Sequence, residues 1–289
     1  MSVCSAEQRD IYFDNFRGIF FAFAAESIFF GIYVTLAIFS TVHLGSKAAR
    51  TKMNRGLIGA IVIMFATALT HWIVHLLLTW FFARSMVRCT ELPSSSTGMR
   101  TALDSFQIVN STIGDLVVCW RAWILWGRPR WIPPIIALFG LSAIILSAVN
   151  LTSNHDKRLP GTADQYRTLT LVITSALINL WGTSLIAYKA WAIRNEWREF
   201  MGTGTRQRSF STNALALITG SGVVYNIFWA LFVCSEFDFF GLASPIVQMS
   251  MIQVTGIYPT LVIFLVFVEK RHSDLPFNST SSLPWVVAS

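Results

Sequence analysis

Seven stretches of mostly apolar residues, each long enough to cross a bilayer as a helix, recur along this chain and leave little room for another architecture. They run over Gly18–His43, Gly56–Phe82, Ser105–Trp126, Ile132–Leu151, Thr168–Trp191, Asn213–Cys234 and Pro245–Val268. A hydrocarbon core about 30 Å thick takes about 20 residues at a rise of about 1.5 Å each. Only 13% of the residues are charged and 54% are hydrophobic. A soluble chain of that composition would expose broad apolar patches. The expected fold is all-α, an integral membrane seven-helix bundle over residues 18–268. An N-terminal segment 1–17 precedes it and a short tail 269–289 follows.

The charged residues orient the bundle. With the N-terminus outside and the C-terminus cytosolic, the cytosolic segments hold thirteen of the twenty-two Lys and Arg against four acids, counting Lys189 at the end of the fifth span. The outer segments hold eight basic residues and nine acids. Lys47, Arg50, Lys52 and Arg55 fall in an acid-free first cytosolic connection, as the positive-inside rule requires. The net charge of +7 is spread over short connections rather than one basic face, so no nucleic-acid partner is expected. No positive n-region precedes the first apolar run, which is too long for a signal-peptide core. Pro93 with Ser94 to Ser96, Arg128-Pro129-Arg130, Pro160-Gly161 and Gly202-Thr203-Gly204 supply the breaks between spans.

Asn150 heads a glycosylation sequon at the outer edge of the fourth span, whereas the sequons at Asn110 and Asn278 fall in a span and in the cytosolic tail. Cys4, Cys89 and Cys234 lie on the outer side, where one disulfide is allowed without its pairing being readable. Cys119 reads as a packing residue.

Ionisable side chains inside a bilayer are costly, so they face the bundle interior and find partners. Measured from the outer helix ends, Glu26 lies roughly 12 Å deep, His75 roughly 11 Å, His71 and Asp115 roughly 15–17 Å, and Gln253 roughly 12 Å. Asn179, Tyr225 and Asn226 fall near the same level, so six of the seven spans contribute to one polar layer. Such a layer serves as an outward-opening ligand pocket or as an interhelical hydrogen-bond network. His71 and His75 share a helix face at i, i+4, yet no other histidine is near enough to complete a four-ligand metal site, and no metal or cofactor is expected. Asp115 and Arg121 are six residues apart, about 240° around the helix, so each needs a partner on another helix, for gating or for packing. Trp120, Trp123 and Trp126 suit an interfacial aromatic belt. Pro259 is expected to kink the last span and to act as a hinge there. Arg206-Gln-Arg208-Ser209-Phe-Ser211 matches a basophilic kinase pattern with Ser211 as acceptor.

The run Gly114-Asp115-Leu-Val-Val-Cys-Trp120-Arg121-Ala-Trp123-Ile-Leu-Trp126, with Gly222–Tyr225 and Gly256-Ile-Tyr258-Pro259-Thr260, resembles a group of fungal, chiefly basidiomycete, seven-helix proteins over nearly the whole chain. That resemblance implies a receptor-like architecture without an agreed ligand. The chain lacks an Asp-Arg-Tyr ending the third span and an Asn-Pro-x-x-Tyr in the last.

The sequence therefore points to an orphan receptor-like protein of the plasma membrane. Its partners would be the lipid bilayer, a small-molecule or lipid ligand and a cytosolic signalling protein. The alternative is a membrane-embedded enzyme acting on an isoprenoid or lipid, as terpene cyclases do, with Glu26 or Asp115 as acid; no catalytic motif is present. A retinal protein is excluded, because none of the five lysines (Lys47, Lys52, Lys157, Lys189 and Lys270) lies in the last span. Protease added to intact cells is expected to leave the Lys47–Arg55 segment uncut and to reach it once the membrane is permeabilised. Cleavage before permeabilisation reverses the orientation.

Overall fold

The computed structural model describes residues 6–47, 52–88, 95–135, 137–138, 140–142, 145, 161–200, 206–237 and 239–273, which are helical apart from short turns. The helices are α1 (Ala6–Lys47), α2 (Lys52–Arg88), α3 (Ser95–Leu125), a shorter apolar stretch α4 within Ile132–Ser142, α5 (Gly161–Phe200), α6 (Arg206–Glu236) and α7 (Ser244–Ser273). A 3-10 turn, Gly241–Ala243, leads into α7. Four of them contain segments long and apolar enough to cross a membrane: Phe16–Val42, Ile58–Arg88, Ser95–Leu125 and Ser244–Leu265. The expected spans Thr168–Trp191 and Asn213–Cys234 coincide with helical stretches of α5 and α6. Much of Ile132–Leu151 lies outside the described residues, as do Asn150, Cys4 and Cys89.

Several helices outrun the expected spans. α1 begins at Ala6 rather than Gly18, because no glycine or proline interrupts residues 6–17. The expected connection between the fifth and sixth spans is largely helical: α5 runs to Phe200 and α6 starts at Arg206, so Ser211 lies in the opening turns of α6. Ser95 and Ser96 open α3 instead of breaking the chain, a position where serine is favoured. α3 ends where expected. Gly127 N donates to Ile124 O and Arg128 N to Trp123 O, both at 3.0 Å, a Schellman closure with Gly127 at φ 76° and Arg128 at φ 63°.

The six long helices close a ring, with α1 on α2, α2 on α3, α3 on α5, α5 on α6, α6 on α7 and α7 back on α1. α7 also reaches α3 and α2 across the ring. Residues 250–256 and 258–260 of α7 are all buried, so this helix is enclosed on every side. Two-thirds of its span, 67%, is buried, against 17% for α1. α1 buries one stripe at helical spacing (Ala22, Glu26, Tyr33, Ala37 and Ser40) and exposes Ile28, Ile32, Ile38, Phe39 and Val42. Many large apolar side chains face outward while Glu26, His71, His75, Asp115 and other polar groups are buried, and the four apolar helices fit membrane association. The exposed hydroxyls of Thr35, Thr70 and Ser184 each bond a carbonyl of their own helix, at 2.7–2.9 Å, as hydroxyls without water must.

Small residues let these helices approach closely. A Cβ on Gly256 would stand 2.5 Å from the Tyr33 ring, one on Gly182 would stand 2.7 Å from Val118 Cγ1, and one on Gly222 would stand 2.8 Å from Thr183 Cγ2. Gly256→Ala is therefore expected to lower the melting temperature of the purified protein, at about 1–3 kcal/mol for an overpacked contact. Adding Tyr33→Ala should return part of the loss; no recovery in the double variant would mean that the α1–α7 approach is not the cause.

Candidate functional site

α1, α2 and α7 each turn polar side chains from a buried stripe toward one point. Glu26 lies four residues after Ala22 on the buried face of α1, and His71 and His75 fall in the α2 series Met64, Ala68, His71, His75 and Leu78. These spacings place the polar groups among core residues. The Glu26 carboxylate is fully enclosed and accepts from both imidazoles: His71 Nδ1 lies 2.8 Å from Oε1 and His75 Nδ1 lies 2.5 Å from Oε2. Gln253 of α7 donates to Glu26 Oε1 at 3.1 Å and to the Ala68 carbonyl at 3.4 Å. With Glu26 ionised, both histidines must carry a proton on Nδ1. The edge of Phe23 packs against His75, with ring centres 5.5 Å apart, and Trp72 donates to Ser27 at 3.0 Å while stacking on Phe30. Oxygen and nitrogen groups are thus sealed behind aromatic rings.

The second centre joins α3 to α5 and α6. Asn179 donates to Asp115 Oδ1 and to the Ser175 carbonyl. Tyr225 and Trp229 of α6 are buried beside it, their rings meeting edge to face at 6.2 Å. Deeper along α3, Arg121 donates to the Tyr258 hydroxyl at 3.4 Å and sits over the same ring, 5.7 Å from its centre. Tyr258 in turn stacks on Tyr225 at 4.3 Å, within 8° of parallel. Asp115 and Arg121 therefore find partners on different helices, as their spacing demands. At the end of α3, Trp126 donates to the Leu185 carbonyl, stacks on Tyr188 and carries Lys189 over its face.

The single layer expected from helix depths divides in two. Glu26, His71, His75 and Gln253 form one centre; Asp115, Asn179 and Tyr225 form the other. Asn226 joins neither, since its amide bonds the Gly222 carbonyl of its own helix and it is half-buried. Between the two centres lies Asn110, which the sequence marks only as an unused sequon. It is fully buried, donates to the Ile252 carbonyl at 2.7 Å and accepts from Thr67 at 3.3 Å, tying α3 to α7 and α2. An isolated amide in an apolar helix was the available signal. Pro259 lies inside a continuous α7 and leaves the Thr255 carbonyl without its helical donor. Cys119 is buried and Cys234 half-buried, and the two form no disulfide among the described residues.

Fold and site define an all-helical protein with membrane-type helices and a paired polar interior. No protein-family model matches the chain, and no curated protein and no solved structure resembles it at a significant level.

The Glu26 centre predicts energetic coupling. A double-mutant cycle of Glu26→Ala and His75→Ala, read by unfolding in detergent, should give about 1–2 kcal/mol, the range for a buried interhelical hydrogen bond. Strict additivity would mean that the two side chains stand apart in the membrane.

Proposed function

We propose that the chain is a receptor-like membrane protein of seven spans, with its N-terminus outside and its C-terminus in the cytosol. It takes a small or lipophilic ligand into the outer half of its bundle and passes the change to its cytosolic face through α7. One observation carries this reading: α7 holds on to both polar centres. Gln253 is bonded to Glu26, and five residues further on Tyr258 is bonded to Arg121 and stacked on Tyr225. A ligand that competes for the Gln253 amide loosens one end of a helix whose other end is tied to α3. The missing bond at Pro259 gives that helix a place to bend. Such a ligand shifts the balance between two helix arrangements only by as much as it binds them unequally. The resemblance of the Gly114–Trp126 run to fungal seven-helix proteins agrees with the reading, and a cytosolic signalling partner would meet the basic ends of α5 and α6. The plasma membrane is the corresponding location.

The enzyme reading is weaker because of how Glu26 is held. Both of its oxygens are engaged by imidazole or amide nitrogens and none is exposed, whereas a general acid must present its proton to a substrate.

The test is a thermal-shift screen of small polar and lipophilic compounds against the full chain in lipid nanodiscs. A stabilising compound should lose about tenfold or more in affinity on Gln253→Ala, equivalent to about 1.4 kcal/mol. Affinity unchanged by Glu26→Ala, Asp115→Ala and Gln253→Ala would place the ligand elsewhere. Product formed from an epoxidised polyprenyl substrate would replace the receptor with an enzyme.

A further inference from the structure

Both oxygens of the Glu26 carboxylate have donors, and the Gln253 amide oxygen is the atom left over there; at Asp115 an oxygen of the acid itself is left over. Asp115 is 6% exposed, shares Oδ1 with Asn179 and keeps Oδ2 without a partner among the described residues. The Asn179 amide has a fixed orientation, because its Nδ2 faces both the Asp115 carboxylate and the Ser175 carbonyl, 3.1 Å away. Its Oδ1 must then point away from both, and it too is enclosed without a donor. Thr183, one turn further along α5, buries a hydroxyl oxygen in the same condition, and so does Tyr225 of α6. Asp115, Asn179 and Tyr225 are neighbours, while Thr183 lies beside Gly222 and the Tyr258 hydroxyl. The Tyr225 hydroxyl lies 3.7 Å from where a Cβ would stand on Gly114, the residue before Asp115.

The unmatched acceptors at Asp115 and Asn179 outnumber the one unmatched donor nearby, the Trp229 indole N–H, and the Asp115 carboxylate has no cationic side chain paired with it among the described residues. The ion pairs found among the described residues are those of Glu26 with His71 and His75. Arg121, on the same helix, turns its guanidinium to Tyr258. A water molecule would supply hydrogen atoms but leave the charge in place. A carboxylate, an amide carbonyl and a hydroxyl oxygen make a hard donor set. A single carboxylate balances a single positive charge. Beside it lie the stacked Tyr225 and Tyr258 rings and Trp229, which keep the centre away from water.

We propose that Asp115, Asn179 and Tyr225 together bind one small monovalent cation, supplied either as sodium or as the primary ammonium group of a ligand. The proposal rests on reading the bundle interior as an intramembrane site and names the chemistry that its α3–α5–α6 half accepts. A proton on Asp115 is the competing way to neutralise the carboxylate, and it would remove any response to cations.

The full chain in lipid nanodiscs is melted at matched ionic strength in N-methyl-D-glucamine chloride, in sodium chloride and in methylammonium chloride. Sodium or methylammonium is expected to raise the melting temperature of the wild type by several degrees over the bulky cation. A rise with sodium alone assigns an inorganic ion, and a rise with methylammonium alone assigns a ligand amine. Asp115→Asn should abolish the rise, and Ser184→Ala on the exposed face of α5 should keep it. Sodium-23 line broadening by the wild-type protein, reversed by excess methylammonium, reads the same site without depending on how a variant folds. Equal melting in the three salts with no broadening overturns the proposal, as does an undiminished rise in Asp115→Asn. No receptor ligand enters this measurement. Its failure leaves the sensing role open, and a failed ligand screen leaves a cation response intact.

Discussion

A polar group facing acyl chains has nothing to bond with, and that one cost arranges the rest of this molecule. Hydroxyl groups on the outer surface meet it locally, by folding back onto carbonyls one turn earlier in their own helix. Carboxylates, imidazoles and carboxamides cannot be served that way, so they turn inward and must be met by another helix. Each inward group therefore specifies a contact: Glu26 needs α2 and α7, Asp115 needs α5, Asn110 needs α7. An apolar contact between two helices in lipid has no such address, since leucine packs about as well against an acyl chain as against another leucine.

The same logic explains why α7 is the enclosed helix. It offers a side-chain amide at Gln253, a main-chain oxygen at Ile252 and a phenol at Tyr258, each used by a different neighbour. Gly256 removes the side chain where Tyr33 of α1 presses in, and Gly222 of α6 does the same beside the Tyr258 hydroxyl. These glycines give up helix propensity, which costs about 1 kcal/mol in an interior turn. In return, the approach of two backbones brings the polar groups of α7 within reach of α1 and α6. The helix with the most obligations to its neighbours is also the one least able to move without being noticed by all of them.

Sequence alone carried the all-helical class, the apolar segments and the identity of the costly residues, because each depends on composition along one helix. Helix ends were harder. The bilayer sets where hydropathy falls, but it does not stop a helix, and nothing in residues 6–17 or 192–200 forces a stop, so α1 and α5 run on. Depth placed Glu26 and Asp115 at similar levels; it could not say that they face different neighbours, since azimuth depends on how the helices are arranged in the ring. One layer became two centres for that reason. Asn226 shows the converse error. It has the right depth and the wrong angle, and its own helix satisfies it. Asn110 was legible as an amide in an apolar run but was read only for its sequon. Gly222 and Gly256 were visible as marks of a resemblance, and their work in close packing required the rings that press against them.

The two centres differ in how completely the carboxylate of each is met. At Glu26 each carboxylate oxygen has a donor, so the group is rigidly specified and any change must first break bonds between α1, α2 and α7. At Asp115 one oxygen of the acid and the oxygen of its amide partner are left over, while the donors of that amide are already used. A network in this state is costly unless something positive completes it, and a buried group that is incomplete by itself is where an added ligand does most. Tyr225, beside the incomplete centre, stacks on Tyr258, which is bonded to Arg121 near the C-terminal end of α3. Whatever completes the Asp115 carboxylate therefore acts beside a stack that reaches α7 five residues beyond Gln253, and through Gln253 the Glu26 centre. α7 touches both, at Gln253 and at Tyr258, so the packing of either centre is felt by the other through one helix.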